Sequence, residues 1–254
     1  MWSLRRQLFR WQWLGPLIVI AAWVGAHHWA LLNSTLLPGF FETLAHLVRL
    51  LYTGNILPDF AETMLRMAAG YGIACAIGIP LGMAMGYFSR LYQVFEIPLD
   101  FFRSLPVTTL YPLFVLLFGI GHRSKVAMVV AACVFVIVLN AAYGVLQRKV
   151  VRTQVAQLFG ATRWQLFRDV IFWEALPQIV IGLRIAVSYA LIVEIVCEMF
   201  MGTQRGLGQR VFEAYNTYSI VELYAIVLLV GFTGYVVNRL FVWAESSLVH
   251  WVGK

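Results

Sequence analysis

The sequence predicts an all-α membrane protein that crosses the bilayer about six times. Residues of the set AVILMFWYC make up 61% of the 254 positions, charged residues make up 12%, and the mean hydropathy is +0.79. A soluble domain of this length does not need so much apolar surface, so an integral membrane protein is indicated. Six segments have the roughly 20-residue length and the apolar character of a span: 14–32, 61–87, 99–119, 124–146, 179–201 and 221–242.

The first apolar segment admits two interpretations. Arg5, Arg6 and Arg10 precede it, as basic residues precede the apolar region of a signal peptide. The residues that follow the apolar run are bulky and lack a small-x-small cleavage site, which favours an uncleaved first span. We therefore expect a cytoplasmic segment at 1–13 and a single membrane domain over 14–254.

The net charge of +7 is distributed as in a membrane protein, which argues against a nucleic-acid partner. With the N-terminus placed inside, the cytoplasmic segments hold eleven basic residues and the outer loops hold five. The positive-inside rule favours this orientation. Both termini and the polar loop at 148–178 are then expected to face the cytoplasm.

Neither the cysteines nor the histidines form a catalytic or metal-binding pattern. Cys75, Cys133 and Cys197 all fall inside predicted spans, where they are expected to be small buried apolar residues. The five histidines include no H-E-x-x-H motif, and the chain has no G-x-S-x-G motif. A membrane enzyme is therefore disfavoured, and no metal is expected on this chain.

The second predicted span carries the clearest packing signal. Small residues recur every four positions along one helix face, which lets a neighbouring helix backbone approach closely in lipid. Pro80 lies inside the same helix and is expected to kink it. The stripe predicts close helix packing and indicates little about chemistry. It consists of Gly70, Ala74, Gly78, Gly82 and Gly86.

Ionisable side chains at membrane depth are costly and are functional candidates by default. Asp100 and Arg103 are three residues apart and can pair on one helix face. Glu194 and Glu198 are four apart, so their carboxylates would repel if both were charged. We therefore expect one of them to be protonated, to pair with an arginine of another helix, or to lie near the outer water. Together with Arg184, these residues leave two interpretations open: salt bridges that orient helices, or direct contacts with a ligand.

The third predicted span is interrupted at its start. Pro106 and Pro112 break the helical hydrogen-bond ladder. Broken backbone at membrane depth is tolerated where it lines a cavity or is buried in protein. Thr108, Thr109 and Tyr111 would place hydroxyl groups in such a cavity. The alternative is a kinked helix that serves only for packing.

The polar loop at 148–178 has the pattern of helix, tight turn and helix. Gly160 suits the left-handed position that ends a helix. Thr162 and Gln165 fit a capping box that begins the next helix. Apolar residues give each short helix an apolar face that can pack on another surface. They are Val155, Leu158, Phe159, Trp164 and Phe167.

This loop resembles the cytoplasmic "EAA" loop of permease subunits of ATP-binding cassette importers, which inserts a short coupling helix into a groove of the ATPase. The acidic residue of that motif falls at Gln154 here, and the first alanine is Val155. An amide can hydrogen-bond but cannot form an ion pair across the groove. The resemblance assigns ATPase coupling to Gln154, Ala156, Gly160, Ala161, Thr162, Arg163, Trp164, Phe167 and Pro177.

Other motifs are similar to those of permeases for sulfonate, taurine and nitrate. They include Arg-Ser-Leu-Pro, Phe-Gly-Ile-Gly, Gly-Leu-Arg-Ile-Ala and Gly-Leu-Gly sequences. The resemblance covers about residues 60–251, three-quarters of the chain. The matching segments are 103–106, 111–114, 118–121, 124–125, 182–186, 198–199 and 206–208.

The resemblance implies a type I ABC importer permease in the bacterial inner membrane. Such a permease pairs as a homodimer, docks two ATPase subunits inside and receives a small anion from a solute-binding protein outside. ATP and Mg²⁺ are expected on the ATPase, since this chain has no G-x-x-x-x-G-K-[ST] motif. The translocation pathway is expected to be lined by Arg103, Thr108, Thr109, Tyr111, Arg184, Glu194 and Glu198.

A self-sufficient secondary transporter or channel is the alternative. Such proteins often contain internal repeats with matching broken helices. Neither the glycine stripe nor the Gly160 loop has a duplicate in this chain, which favours the importer subunit.

Overall fold

The structure, a computed structural model, describes residues 14–29 and 36–248. Regular structure in those ranges is helical, without strands, which confirms the all-α prediction. The expected cytoplasmic segment 1–13 lies outside the described residues. The helices are α1 Leu14–His28, α2 Phe40–Tyr52, α3 Leu57–Tyr87, α4 Ser89–Ser104, α5 Tyr111–Phe118, α6 His122–Leu146, α7 Val150–Leu158, α8 Arg163–Phe200, α9 Leu207–Asn216 and α10 Ile220–Leu248.

Four helices of the described ranges are long and apolar enough to cross a membrane, namely α3, α6, α8 and α10. They coincide with four of the six predicted spans. Helix α1 is apolar but only 15 residues long, so it covers part of the first predicted span.

The third predicted span, 99–119, is not one helix but two. Helices α4 and α5 meet at a bend of 89° and count as at most one further span. The helix ends at Ser104 because the backbone turns extended at Leu105 and Pro106, with ψ of 131° and 111°. A 3₁₀ turn, Val107–Leu110, then leads into α5. The predicted break at Pro106 is confirmed, and its size exceeds a simple kink.

The glycine stripe of α3 packs directly against α6. A Cβ added at Gly70 would lie 2.6 Å from Val129 Cβ, and one added at Gly86 would lie 2.6 Å from the Ala142 carbonyl oxygen. Ala74 is completely buried between them. The stripe therefore sets the distance between two helix backbones, as small residues do in membranes.

Helices α6 and α8 approach equally closely. A Cβ at Gly144 would lie 2.8 Å from the Ala175 carbonyl oxygen, and a Cβ at Gly182 would collide with the Asn140 side chain. The Asn140 amide oxygen accepts a hydrogen bond from Gln178 Nε2 at 3.0 Å. Small residues and one polar pair thus hold α3, α6 and α8 together.

The described residues form two compact units. One comprises the residues up to 58 and 210–230, and the other comprises 59–209 with 231–248. In the first, the Trp23 ring packs on Phe40 and Tyr224, with centroid distances of 5.6 and 5.3 Å, and Trp23 Nε1 donates to the Pro38 carbonyl. The second unit contains the helix packing just described and all the predicted site residues.

Candidate functional site

In the loop between α6 and α8, helix α7 ends in a tightly closed turn. The Ala161 N–H donates to the Ala156 carbonyl at 3.1 Å, and the Gly160 N–H donates to the Gln157 carbonyl at 2.9 Å. This pair of bonds requires a left-handed residue after the helix, and Gly160 has φ of +80°. The predicted glycine turn is confirmed. It fixes the direction in which the chain leaves α7.

The next helix begins with the predicted capping box. The Thr162 N–H donates to Gln165 Oε1 at 2.8 Å, and the Gln165 N–H donates to Thr162 Oγ1 at 3.3 Å. Two amides at the helix start are thereby satisfied by side chains. The turn and the box leave residues 160–162 little freedom.

This closed turn presents an apolar surface to the outside. Leu158 and Phe159 are 87% and 88% exposed, and Trp164 is 66% exposed. We call these three residues the apolar knob. Gln154 and Arg163 are exposed on the same loop. Such an apolar group on a stiff polar loop is typical of a surface that a partner covers.

Phe167 connects the loop to the helix bundle. Its ring stacks on Trp164 at 6.2 Å and meets Tyr87, the last residue of α3, edge-on at 5.7 Å. The ring of Phe167 therefore joins the loop to the end of α3.

Glu174 ties the beginning of the loop to α8. Its carboxylate accepts from Arg152 Nη1 at 2.9 Å and from the Lys149 N–H at 3.1 Å. Sequence reasoning missed this residue, because an acidic side chain 22 residues from Arg152 gives no local signal.

Helix α8 contains a π-helical stretch, Leu166–Ile171, directly after the capping box. Leu166 and Ile171 point into the core, where they pack with Met83 and Val145. Pro177 lies inside the α-helical part that follows. Nothing in the sequence predicts the π stretch; such stretches are rare and are found frequently at functional sites.

The broken segment between α4 and α5 lines a cavity of about 290 Å³. Thr108 and Tyr111 lie on its wall with Met128, Cys197 and Phe200. The Tyr111 hydroxyl donates to the Phe200 carbonyl at 2.7 Å. Two of the predicted pathway residues are therefore brought together, whereas Thr109 turns its hydroxyl to the Pro106 carbonyl at 2.7 Å.

The two predicted arginines are engaged in ion pairs within the chain. Arg103 Nη2 lies 3.1 Å from Asp100 Oδ1, with both side chains 57% exposed. Arg184 Nη1 lies 3.0 Å from Glu245 Oε2 and joins α8 to α10. The predicted Asp100–Arg103 pair is confirmed, and neither arginine lies in the cavity of the broken segment.

Glu198 is the centre of a buried polar cluster at the end of α8 opposite the loop. Its carboxylate accepts from Thr63 Oγ1 at 2.8 Å, from Arg66 Nη1 at 2.8 Å and from the Gly208 N–H at 2.9 Å. Glu198 has no exposed surface and Arg66 is 4% exposed. A carboxylate so deeply buried requires these donors.

The same cluster caps the start of α9 with side chains that come from α3. The Gly206 N–H donates to Asp59 Oδ1 at 3.0 Å, and the Leu207 N–H donates to Thr63 Oγ1 at 2.9 Å. A Cβ at Gly206 would collide with the Glu198 carboxyl group. The Gly-Leu-Gly sequence is thus explained, because glycine lets Glu198 approach the helix start.

Glu194 lies one turn below Glu198 and is also completely buried. Its Oε1 is 3.9 Å from Arg66 Nη1, beyond hydrogen-bond distance. Lys125, 1% exposed, donates to the Gly202 carbonyl at 3.0 Å. The alternative that Glu198 pairs with an arginine of another helix is confirmed, with Arg66 as the partner.

Sequence reasoning missed Arg66, Asp59, Thr63 and Lys125 as members of this cluster. One signal for Arg66 was available: it lies four residues before Gly70, so it continues the face of the buried stripe. Asp59 and Thr63 lie more than 130 residues from Glu198, and nothing local marks them. Lys125 lies in the matching segment 124–125, which does not indicate its partner.

Residues 78–253 match the family model of the binding-protein-dependent transport system inner membrane component, so the chain belongs to that family. A probable ABC transporter permease protein of Brucella melitensis is 28% identical over 231 residues, which cover 90% of this chain and 94% of the relative. The taurine transport system permease protein of Escherichia coli K12 is 27% identical, with 81% of this chain and 80% of the relative covered.

Solved structures place the fold in the same class. A chain of the MetNI methionine ABC transporter, in an inward-facing conformation, superposes with a TM-score of 0.64 at 20% identity, covering 74% of this chain and 93% of that chain. A chain of an amino acid ABC transporter gives 0.58 at 16% identity, covering 80% and 97%. The chain therefore has the fold of a type I ABC importer permease, a membrane-spanning transport subunit.

Proposed function

We propose that this chain is the permease subunit of an importer for a small anion. Two copies would form the membrane part, and two ATPase subunits that bind ATP and Mg²⁺ would dock on the cytoplasmic side. A solute-binding protein would deliver substrate from outside. Both termini would lie in the cytoplasm, as the distribution of basic residues favours.

The observation that carries the proposal is the apolar knob. Leu158, Phe159 and Trp164 are held out from the bundle by the closed turn at Gly160 and by the capping box. A surface of this kind gains free energy when a partner covers it, at about 25 cal/mol per Å² of apolar area. An ATPase groove on the cytoplasmic side is the partner that the family implies. Gln154 would meet that groove as a hydrogen-bonding amide, without an ion pair.

Motion of the ATPases would reach the bundle through α8. The part of the loop after the capping box, the π stretch and the buried end of α8 form one continuous helix, Arg163–Phe200. The Phe167 contact with Tyr87 connects the same loop to α3. ATP-driven closure of the ATPases would thus shift two helices at once, and alternating access is a change between two such arrangements.

The pathway proposal rests on the broken segment. Thr108 and Tyr111 line a cavity beside α6 and α8, directly after the extended backbone at Leu105 and Pro106. Irregular backbone at membrane depth is tolerated where it lines such a cavity. For Arg103, Thr109, Arg184, Glu194 and Glu198 a contact with substrate stays a prediction. Arg103 and Arg184 would have to leave their carboxylate partners to bind an anion.

The substrate class is proposed from relatives. The Escherichia coli relative is a taurine transport permease, and a relative from Bacillus subtilis, 23% identical, is a putative aliphatic sulfonates transport permease. A nitrate import permease of Synechocystis is 25% identical. A small anion such as a sulfonate, taurine or nitrate is common to these proteins, and the solute-binding protein would make the final selection.

The test is co-purification of the chain with the ATPase subunit of its own transport system. The variant Leu158→Asp/Phe159→Asp changes only exposed side chains, so the fold should persist while the complex is lost. Gln157→Asp is the matched control, because it adds a charge to the same helix at an exposed position outside the knob. Retention of the ATPase by the double variant would reject coupling through the knob.

A further experiment separates the importer from a self-sufficient transporter. The chain alone in liposomes should move no taurine, nitrate or alkanesulfonate, whereas the complex with ATPase, binding protein and ATP should. Uptake by the chain alone would favour the secondary transporter.

A further inference from the structure

Helix α2, Phe40–Tyr52, is too short to cross a membrane and is not among the candidate spans. At 1.5 Å per residue its 13 residues extend about 20 Å, against a hydrocarbon core of about 30 Å. It also carries Glu42 and Arg49. Its role is therefore not that of a span.

The surface of α2 is divided into three faces. On the first face, Thr43 is completely buried and Leu47 and Leu50 are partly buried. Glu42 and Arg49 lie seven residues apart on a second, exposed face.

The third face is apolar and has no cover within its own unit. Phe41 is 71% exposed and Val48 is 58% exposed. This stripe follows the spacing of one helix face. It consists of Phe41, Leu44, Val48 and Leu51, and Tyr52 extends it at the helix end.

Chain continuity places α2 at the membrane surface. Residues 53–56 alone separate it from α3, one of the helices that can cross a membrane. They include the left-handed Gly54, with φ of +72°. Four residues cannot extend far, so α2 stays close to the end at which this span begins.

Aromatic residues in the same unit support an interfacial position. Trp29, Tyr52, Tyr215 and Tyr218 are all exposed. Tryptophan and tyrosine are enriched where the headgroups meet the acyl chains, because their rings are apolar with one polar group.

We propose that α2 lies in the plane of the membrane, with the stripe of Phe41, Leu44, Val48 and Leu51 inserted among the acyl chains of one leaflet. The occupant of the face is lipid. Glu42 and Arg49 face the water and the headgroups. An in-plane helix of this kind anchors the chain between α1 and α3 at a fixed depth.

Spin-label accessibility in nanodiscs of phosphatidylethanolamine and phosphatidylglycerol tests the proposal on the full chain. Cys75 is replaced by alanine, while Cys133 and Cys197 are buried and stay unlabelled. Labels are placed singly by Phe41→Cys and Val48→Cys. Glu42→Cys and Arg49→Cys are the matched controls on the same helix. The cysteine-reduced parent chain, treated with the label, measures the background.

Oxygen concentrates in lipid and a nickel chelate stays in water. We expect more collisions with oxygen than with the chelate at positions 41 and 48, and the reverse order at positions 42 and 49. Chelate collisions dominating at position 48 would place the stripe in water and overturn the proposal. Poor access of both reagents at 41 and 48 would mean a protein cover, and would overturn it as well.

A disulfide between two Val48→Cys chains would identify that cover as a second copy. These outcomes do not depend on the ATPase, so the inference can fail while the proposed transport function stands, and the reverse also holds.

Discussion

Helix α8 ends on one side in an exposed apolar loop and on the other in a buried cluster of charges. The turn and the capping box of the loop are built from contacts between residues three to five positions apart, as between Ala161 and Ala156. The charge of the cluster is balanced by a contact between residues more than 130 positions apart, Arg66 and Glu198. The loop presents apolar groups to water, and the cluster removes charged groups from it. A surface for a partner can therefore be assembled from neighbouring residues, whereas a buried charge needs hydrogen-bond donors and a counter-charge from distant parts of the chain.

The largest effect is expected at the buried cluster. Arg66→Met leaves the Glu198 carboxylate without its cationic partner in a site closed to water. Removing one member of a buried pair costs about 3–5 kcal/mol of folding free energy. Unfolding of the purified chain in mixed micelles measures this loss. Arg168→Met is the control, because Arg168 pairs with Asp169 on the exposed surface and should change stability by less than about 1 kcal/mol. Equal stability of the two variants would contradict the role of the cluster.

The next effect is expected at the glycine stripe. Gly70→Ala places a methyl group against Val129 and should cost about 1–3 kcal/mol through overpacking. Gly72, on the same helix, has nothing within 4 Å of an added Cβ. Gly72→Ala should therefore be neutral or stabilising by up to about 1 kcal/mol. The same unfolding assay compares the two, and a smaller loss for Gly70→Ala than for Gly72→Ala would refute close packing of α3 on α6.

A variant of the capping box should lose less stability than Arg66→Met or Gly70→Ala, and its main effect should be on coupling to the ATPase. Thr162→Val removes one half of the capping box, which is worth about 1 kcal/mol. Because α8 is long, global unfolding should change little, whereas transport-coupled ATP hydrolysis by the assembled complex should fall. Thr217→Val is a control: it removes a hydroxyl that bonds to the Glu213 carbonyl in an exposed position. Unchanged coupling in Thr162→Val would show that the box serves only the local helix start.

The smallest structural effect is expected at Arg103. Its pair with Asp100 is more than half exposed, so Arg103→Gln should change stability by less than about 1 kcal/mol. A contact with the transported anion would appear instead as a lower rate or affinity in uptake assays. Asp100→Asn is the companion variant, because it frees Arg103 without removing it. Full rate and affinity in Arg103→Gln would exclude a substrate contact for this residue.

Most of the coupling loop could be predicted because its signals are local. Gly160, Thr162 and Gln165 act on residues within one or two turns, so their types and spacing carry the geometry. Glu174 and the π stretch escaped prediction, since one depends on a partner 22 residues away and the other on how Leu166 and Ile171 fit the core.

In the spans, too, local features could be predicted and features that depend on packing could not. Continuous apolar runs predicted α3, α6, α8 and α10, because the bilayer imposes their length and composition. The segment 99–119 was predicted as one interrupted span, and its bend of 89° was not. Pro106 marks where a helix must break, but the angle depends on the packing of both halves.

The amino-acid sequence by itself determined the class of this protein, the positions of its long spans, the closed turn at Gly160 and the face of α3 on which the residues must be small. Periodicity, chain-breaking residues and apolar length act over a few turns, so they can be recognised without a structure. Only the tertiary structure decided that Arg66 neutralises Glu198, that Asp59 and Thr63 cap α9, and that Arg184 pairs with Glu245. The reason is physical: a buried charge takes whichever partner the fold brings within about 3 Å, and that choice is not encoded near it in the chain.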